Sequence, residues 1–390
     1  MTAARAAFPA LKDYVWFQNG GVSITPAPIA EEHARLMREL YERGPMHIVY
    51  PDEEYPRRKE SVARLARFFG VDAGELALMR GVSEAYLTVL RGLEWQPGDE
   101  VIVTSDEEAA LFLPSLHLRD RHGVVVRKAP LVEDEDGQVA AVAALLSERT
   151  RLVAISHVTT DLGFRLPVER ICAAARERGV LTFVDLAHSA GLWPMSLREL
   201  GCDFAGILSY KWMYSPYAAG LLYVRRERLD ALQVTYAGGR AESAMDWQAD
   251  TYELHDSTER FQFGPWSWPL VHTWAFAADW VTDIGLNDIW QRTAALTMML
   301  KDGLREIPGA TLHTPTAPGR SAALVSFELR GLSGAEITGE LRERWNIIVK
   351  PIPNAAPGIR VSIPFFALED EVELLTNALG DLASDAARAG

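Results

Sequence analysis

From about residue 61 to residue 224, stretches with helical spacing of apolar side chains alternate with short β-branched runs. Of all the features of this chain, that order constrains the fold most. Parallel strands need a crossover long enough to hold a helix, so it predicts an α/β architecture with a mainly parallel sheet covered by helices. Residues 61–69 read as a helix, with Val62, Leu65, Ala66 and Phe69 on one stripe. Strands are expected at 101–104, 124–126, 152–156, 181–185, 205–208 and 221–224. The clearest crossover helix is 168–178, with Ile171, Ala174 and Ala175 inward and Gly179 as its stop.

Residues 238–268 interrupt the alternation, with Gly239, Gly264, Pro265, Trp266, Trp268 and Pro269 close together. An irregular region is expected there, followed by a long helix. The Trp266, Trp268 and Trp274 cluster is read as packing or a subunit interface rather than a substrate cage. Beyond it come a helix at about 290–307, strands at 323–329, 346–349 and 360–363, and a final helix at 369–382. This second set predicts a smaller C-terminal α+β domain. The expected division is 26–275 for the large domain, with 1–25 and 276–390 forming the small one.

The 390 residues suffice for two cores at roughly 150 residues per domain. A net charge of −14 argues against nucleic acid or an anionic membrane as partner. No apolar run is long enough to span a bilayer. The only two cysteines, Cys172 and Cys202, can build neither a disulfide framework nor a cysteine metal cluster, and no metal site is expected. With no signal-peptide core in residues 1–11, a cytoplasmic protein is expected.

Phe183-Val184-Asp185-Leu186-Ala187-His188 is the most informative stretch. A buried strand that ends in a carboxylate points that charge toward a site, because ligands of open α/β sheets bind at the C-terminal strand ends. Lys211 follows 26 residues later, room for a helix and a return strand, so an amine and a carboxylate can face one pocket. Pyridoxal 5′-phosphate chemistry needs such a pair.

The runs Val184 to Gly191, Gly201-Cys202-Asp203-Phe204 and Ser209-Tyr210-Lys211-Trp212 resemble the class V aminotransferase superfamily of pyridoxal phosphate fold type I. The isopenicillin N epimerase-like and kynureninase-like branches are the most similar. Asn19-Gly20-Gly21, Arg80-Gly81-Val82-Ser83-Glu84-Ala85, Gly98-Asp99-Glu100-Val101 and Gly358-Ile359-Arg360-Val361-Ser362 extend the resemblance over nearly the whole chain. It implies a seven-stranded large domain, pyridoxal 5′-phosphate as cofactor, and a homodimer with a shared site.

Carried over by position, Lys211 would be the Schiff-base lysine and proton shuttle, Asp185 the partner of the pyridine nitrogen, and His188 a neighbour of the ring hydroxyl. Gly81, Val82, Ser83, Ser209 and Tyr210 would surround the phosphate. Gly264 and Pro265 lie in the segment Phe263-Gly264-Pro265-Trp266, which would complete the phosphate site of a partner copy. Thr160 would border the cofactor, and Arg360 would grip the substrate α-carboxylate, with Asn19 close by.

Four positions depart from the family, one of them Ala367, which follows Phe366 where relatives often have Asn. Glu108 stands where relatives place an aromatic ring or His, and suits a basic substrate group or a proton transfer. Thr160 replaces Asn, and Pro265 replaces a phosphate-binding hydroxyl. A desulfurase needs a mobile thiol, and no Cys follows Cys202. The expected reaction is therefore β-elimination from a cysteine-type conjugate in specialised metabolism such as antibiotic biosynthesis. Its rivals are transamination, epimerisation, decarboxylation coupled to oxidative deamination, and a non-catalytic binding protein that keeps the fold.

Overall fold

The protein is described by a computed structural model covering residues 2–48 and 53–389; Met1, first residue of the N-terminal stretch read above, lies outside them. A seven-stranded sheet runs in the order Leu76–Met79, Gly220–Val224, Phe204–Leu208, Leu181–Asp185, Thr150–Ser156, Glu100–Thr104 and Val125–Ala129. Gly220–Val224 alone runs opposite to the other six strands. The central strands are buried on both faces, which is why they read as continuous apolar runs rather than alternating ones. Helix Val168–Glu177 turns Val168, Ile171, Cys172 and Ala175 into one of the two cores flanking the sheet. Cys172 and Cys202 are both buried in it.

A four-stranded antiparallel sheet, in the order Ala310–Leu312, Leu324–Leu329, Ile359–Ser362 and Lys350–Pro351, forms the second layer system. Its core gathers Phe17, Leu300, Phe327, Ile337, Val361 and Leu375, drawing on helices Leu286–Arg305, Gly334–Trp345 and Glu369–Ala389. Strand Val15–Trp16 pairs with Ile347–Ile348 and ties the N-terminal segment to this unit.

The structure differs from the sequence expectation in three places. Strand Leu76–Met79 is an all-apolar tetrapeptide, too short for its period to separate strand from helix. The region expected to be irregular contains the hairpin Glu242–Asp246 and Thr251–Leu254. Its residues are mostly exposed, so no buried face imposes the period-two signal. The strand expected at 346–349 divides into Ile347–Ile348 and Lys350–Pro351, which pair with different partners. The tryptophans behave as read: Trp274 and Trp268 are core residues and Trp266 packs against the core.

Candidate active site

The order of the large sheet reverses between two neighbouring strands. Glu100–Thr104 leads to an outer strand on one side, while Thr150–Ser156 leads to Leu181–Asp185 on the other. Their loops diverge and leave a crevice at the C-terminal strand ends, where ligands of such sheets bind. A cavity of about 870 Å³ opens there, lined by Gly81, Ser83, Glu108, Asp185, Tyr210 and Lys211 among others. Val82 also lines it. The spacing argument from Asp185 to Lys211 thus holds in three dimensions.

Asp185 ends its strand fully buried, and one carboxylate oxygen accepts from the Ala187 N–H at 2.7 Å. Burial pushes its carboxyl up to about 6, against the pull of that N–H and of Lys211. Lys211, 7% exposed, has its amine driven down to about 8 by burial and by the Arg360 charge. Its Nζ lies 3.3 Å from His188 Nε2. Burial and the cations Lys211, Arg360 and Lys350 hold His188 well below its ordinary value, so its ring is neutral and Nε2 accepts from the lysine. His188 Nδ1 and Asn19 Oδ1 are buried without partners, while Asn19 Nδ2 donates to the Lys211 carbonyl at 3.3 Å.

A raised carboxyl sets a pH-dependent stability. Ionised Asp185 is disfavoured in the folded chain, so its stabilising contribution is complete below the unfolded value of 3.8 and is lost as pH rises through about 6. Asp185→Asn, nearly isosteric, is therefore expected to stabilise the ligand-free protein at pH 8 by up to about 3 kcal/mol. The gain should shrink toward pH 5. Urea unfolding at both pH values checks this, and a gain equal at both would remove the assigned cause.

Arg360, 2% exposed, donates Nη1 to the Thr160 carbonyl at 2.6 Å and to its hydroxyl oxygen at 3.3 Å. Its Nε and Nη2 are buried without partners, a fork left open for an anion. The Thr160 hydroxyl donates to Glu108 Oε2 at 2.9 Å and sits 3.4 Å from His188 Nε2. Glu108 is thus part of the cavity wall, and although burial raises its carboxyl, Lys211, Thr160, Lys350 and Arg360 leave it below the ordinary range. Ser209 and the 264–265 segment are not brought to this cavity. The Ser209 hydroxyl donates to the Pro216 carbonyl at 2.6 Å, and Gly264 lines a separate cavity with Arg58 and Trp266. Tyr210 stacks on Tyr217 with ring centroids 4.8 Å apart.

Two site residues escaped sequence reasoning. Glu107 accepts from the hydroxyls of Thr104 and Ser156, each at 2.6 Å, and clamps the two diverging strand ends together. Burial pushes its carboxyl up to about 7, with Asp185 adding repulsion. Three consecutive acids after a buried strand, Asp106 to Glu108, were the available signal. Lys350, directly opposite Arg360 in its strand pair, had none, because a two-residue strand has no readable period.

Comparisons with known proteins agree with this geometry. The family model for aminotransferase class V matches residues 23–375. Isopenicillin N epimerase of Streptomyces clavuligerus is 30% identical over 337 residues, covering 82% of this chain and 83% of that protein. A cysteine desulfurase of Pectobacterium atrosepticum is 28% identical over 397 residues, 96% of each. Among solved structures, the cystine C–S lyase C-DES in complex with its product cysteine persulfide superposes with a TM-score of 0.88 at 26% identity, over 96% of this chain and 99% of that one. A lysine mutant of C-DES with glycine covalently linked to its pyridoxal phosphate superposes with a TM-score of 0.90 at 26% identity, over 97% and 99%.

Proposed function

This chain belongs to the class V aminotransferase family, whose enzymes work with pyridoxal 5′-phosphate, and from that premise we propose that it performs β-elimination on cysteine-type conjugates as a C–S lyase. The observation that carries the reading is the desolvated trio Lys211, Asp185 and His188, the first two lining the cavity and the third 3.3 Å from the lysine amine, in a chain whose only two thiols lie in the core. Burial pushes the Cys172 thiol up to about 12 and Cys202 well above its usual value, so neither is available to accept sulfur as a desulfurase requires.

The residues fit the cofactor. Lys211 would hold it covalently, Asp185 has a carboxylate edge on the cavity for the ring nitrogen, and the first turn of helix Val82–Gly92 offers unpaired N–H groups and the Ser83 hydroxyl to its phosphate. When bound, it supplies an electron sink for breaking a bond at the α-carbon. Arg360 would seat the α-carboxylate on its open fork. An amine near 8 is matched to take the α-proton at neutral pH, and neutral His188 can accept its N–H and steady it. With one water consumed, R–S–CH₂–CH(NH₃⁺)–COO⁻ gives RSH, pyruvate and ammonium.

Incubation with cysteine S-conjugates tests this, with thiol, pyruvate and ammonia expected in equal amounts. Amino-group transfer without thiol release would favour transamination, and a racemised substrate would favour the epimerase relative. The same reading includes a division into 26–275 against 1–25 with 276–390, a homodimer whose 263–266 segment completes the partner copy's site, and a cytoplasmic setting in specialised metabolism. Among the described residues no helix is long and apolar enough to cross a membrane.

The phosphate turn has a specific requirement. A Cβ at Gly220 would lie 2.6 Å from both N and Cα of Gly81. Gly220→Ala must displace that backbone, and overpacking of this kind costs about 1–3 kcal/mol. Weaker pyridoxal phosphate binding, by roughly tenfold or more, is expected with circular dichroism unchanged. Unaltered affinity would show that Gly81 does not form the cradle.

A further inference from the structure

The second cavity, which Gly264 lines with Arg58 and Trp266, has a volume of about 430 Å³, within the roughly 300–1,000 Å³ of small-molecule sites. Strand Leu76–Met79 stands between it and the active cavity. Leu76 and Leu78 line the second, while Met79, on the opposite face of the sheet, lines the first. The segment 261–264, extended at Gln262, repeats that alternation: Phe261 and Phe263 line the active cavity, Gln262 and Gly264 the other. No described residue lines both cavities, so they are separate sites that share a wall.

Helix Glu54–Phe69 brings Arg58 to this cavity with the residue only 6% exposed and its Nη1 buried without a hydrogen-bond partner. Among the described residues its ion pair is with Glu54 alone, at 3.8 Å, too long for a hydrogen bond, and Glu54 accepts from Arg240 at 2.7 Å with its other oxygen. Burial lowers the guanidinium, Glu54 offsets only part of this, and Arg240 adds repulsion. In the same wall the Trp266 Nε1 is also buried without a partner. Among the described lining residues these are the two buried groups left unpaired, and both are donors, which calls for an acceptor with negative charge. Glu54 beside Arg58 and Glu259 in the wall oppose a second negative charge, while Val62, Ala63, Leu76 and Leu78 offer apolar surface to the rest of a ligand. We propose that this cavity is a non-catalytic site for an organic monocarboxylate with an apolar body, its head held by Arg58 and the Trp266 indole N–H. A ligand seated there braces the 261–264 wall that the active cavity shares, so loaded protein should release pyridoxal phosphate more slowly.

Calorimetric titration of holoenzyme with four probes tests this: 4-methylpentanoate, its neutral amide, acetate with no apolar body, and inorganic phosphate. The first is expected to bind at least about tenfold more tightly than each of the others. The Arg360 fork can also take a carboxylate, so Arg360→Ala holoenzyme is titrated beside the wild type and should keep the preference. Arg58→Met should abolish the advantage of 4-methylpentanoate over its amide, and it should fold, because Glu54 retains Arg240. Trp266→Phe, which keeps the ring body and removes the N–H, should weaken binding severalfold. Binding that Arg360→Ala removes and Arg58→Met keeps would place the carboxylate in the active cavity and overturn the proposal. So would equal or tighter binding of phosphate or the amide, or no binding of any probe. Release of pyridoxal phosphate, followed by its absorption after dilution, should slow about fivefold or more with 4-methylpentanoate present, and not in Arg58→Met. Binding without that slowing overturns the coupling and leaves the site. None of these readouts uses turnover, so they stand or fall separately from the proposed β-elimination.

Discussion

Lys211→Ala is expected to abolish turnover, lowering the rate by at least about 10³-fold, while the fold persists. Its amine is the one group in the cavity with a value near 8, and it feels the charges of Asp185 and Glu108 and lies 3.3 Å from His188 Nε2. Alanine removes both the covalent anchor and the base that would take the α-proton. Two further readouts separate this role from simple destabilisation. Borohydride should fix cofactor to the wild-type chain and not to the variant. A small primary amine added to the variant should recover part of the activity, because the missing function is an amine and the cavity has room for one. Ordinary activity, or cofactor trapped on another lysine, would remove Lys211 from the mechanism.

Arg360→Ala should cost the next most, about 2–5 kcal/mol in kcat/KM, since truncating one partner of a buried charged contact leaves the other unpaired. The loss should fall mainly on KM, because the fork holds the carboxylate in ground and transition states alike. A second consequence has a definite sign. Arg360 is one of the causes holding the Lys211 amine down, so its removal favours the charged amine and raises that value above about 8. The alkaline-side rise of the pH–rate profile should therefore move upward. Arg360→Lys, which keeps the charge but lacks the fork, should leave the profile in place and still bind substrate weakly. An Arg360→Ala enzyme with unchanged KM and an unmoved profile would place the substrate carboxylate elsewhere.

Much of the scaffold was legible without coordinates. The strand Leu181–Asp185 was read at its observed bounds, and the other five large-sheet strands expected between residues 101 and 224 were read to within a few residues. Long buried parallel strands carry their signal in every residue, whereas exposed Glu242–Asp246 and Thr251–Leu254 carry none. Asp185 and Lys211 were legible because strand-end polarity is a local property. Glu108 was legible as an anomaly, a carboxylate where a ring is usual, though its partner Thr160 lies 52 residues away.

By itself, the sequence determined an α/β fold with a smaller second domain, the amine and carboxylate that meet at its strand ends, and the exclusion of a mobile thiol. Those follow from continuous apolar runs, from the 3.6-residue helical period, from the residue types that end the strands and from residue counts, all of which are complete in the chain before it folds. Tertiary structure alone decided that Lys350 stands opposite Arg360, that Glu107 clamps Thr104 to Ser156, and that Asp185 and Lys211 are shifted toward each other's range. Each of these depends on which groups are packed together and how much water they exclude. Arg360 reaches Thr160 across 200 residues of chain, a contact that no local pattern encodes.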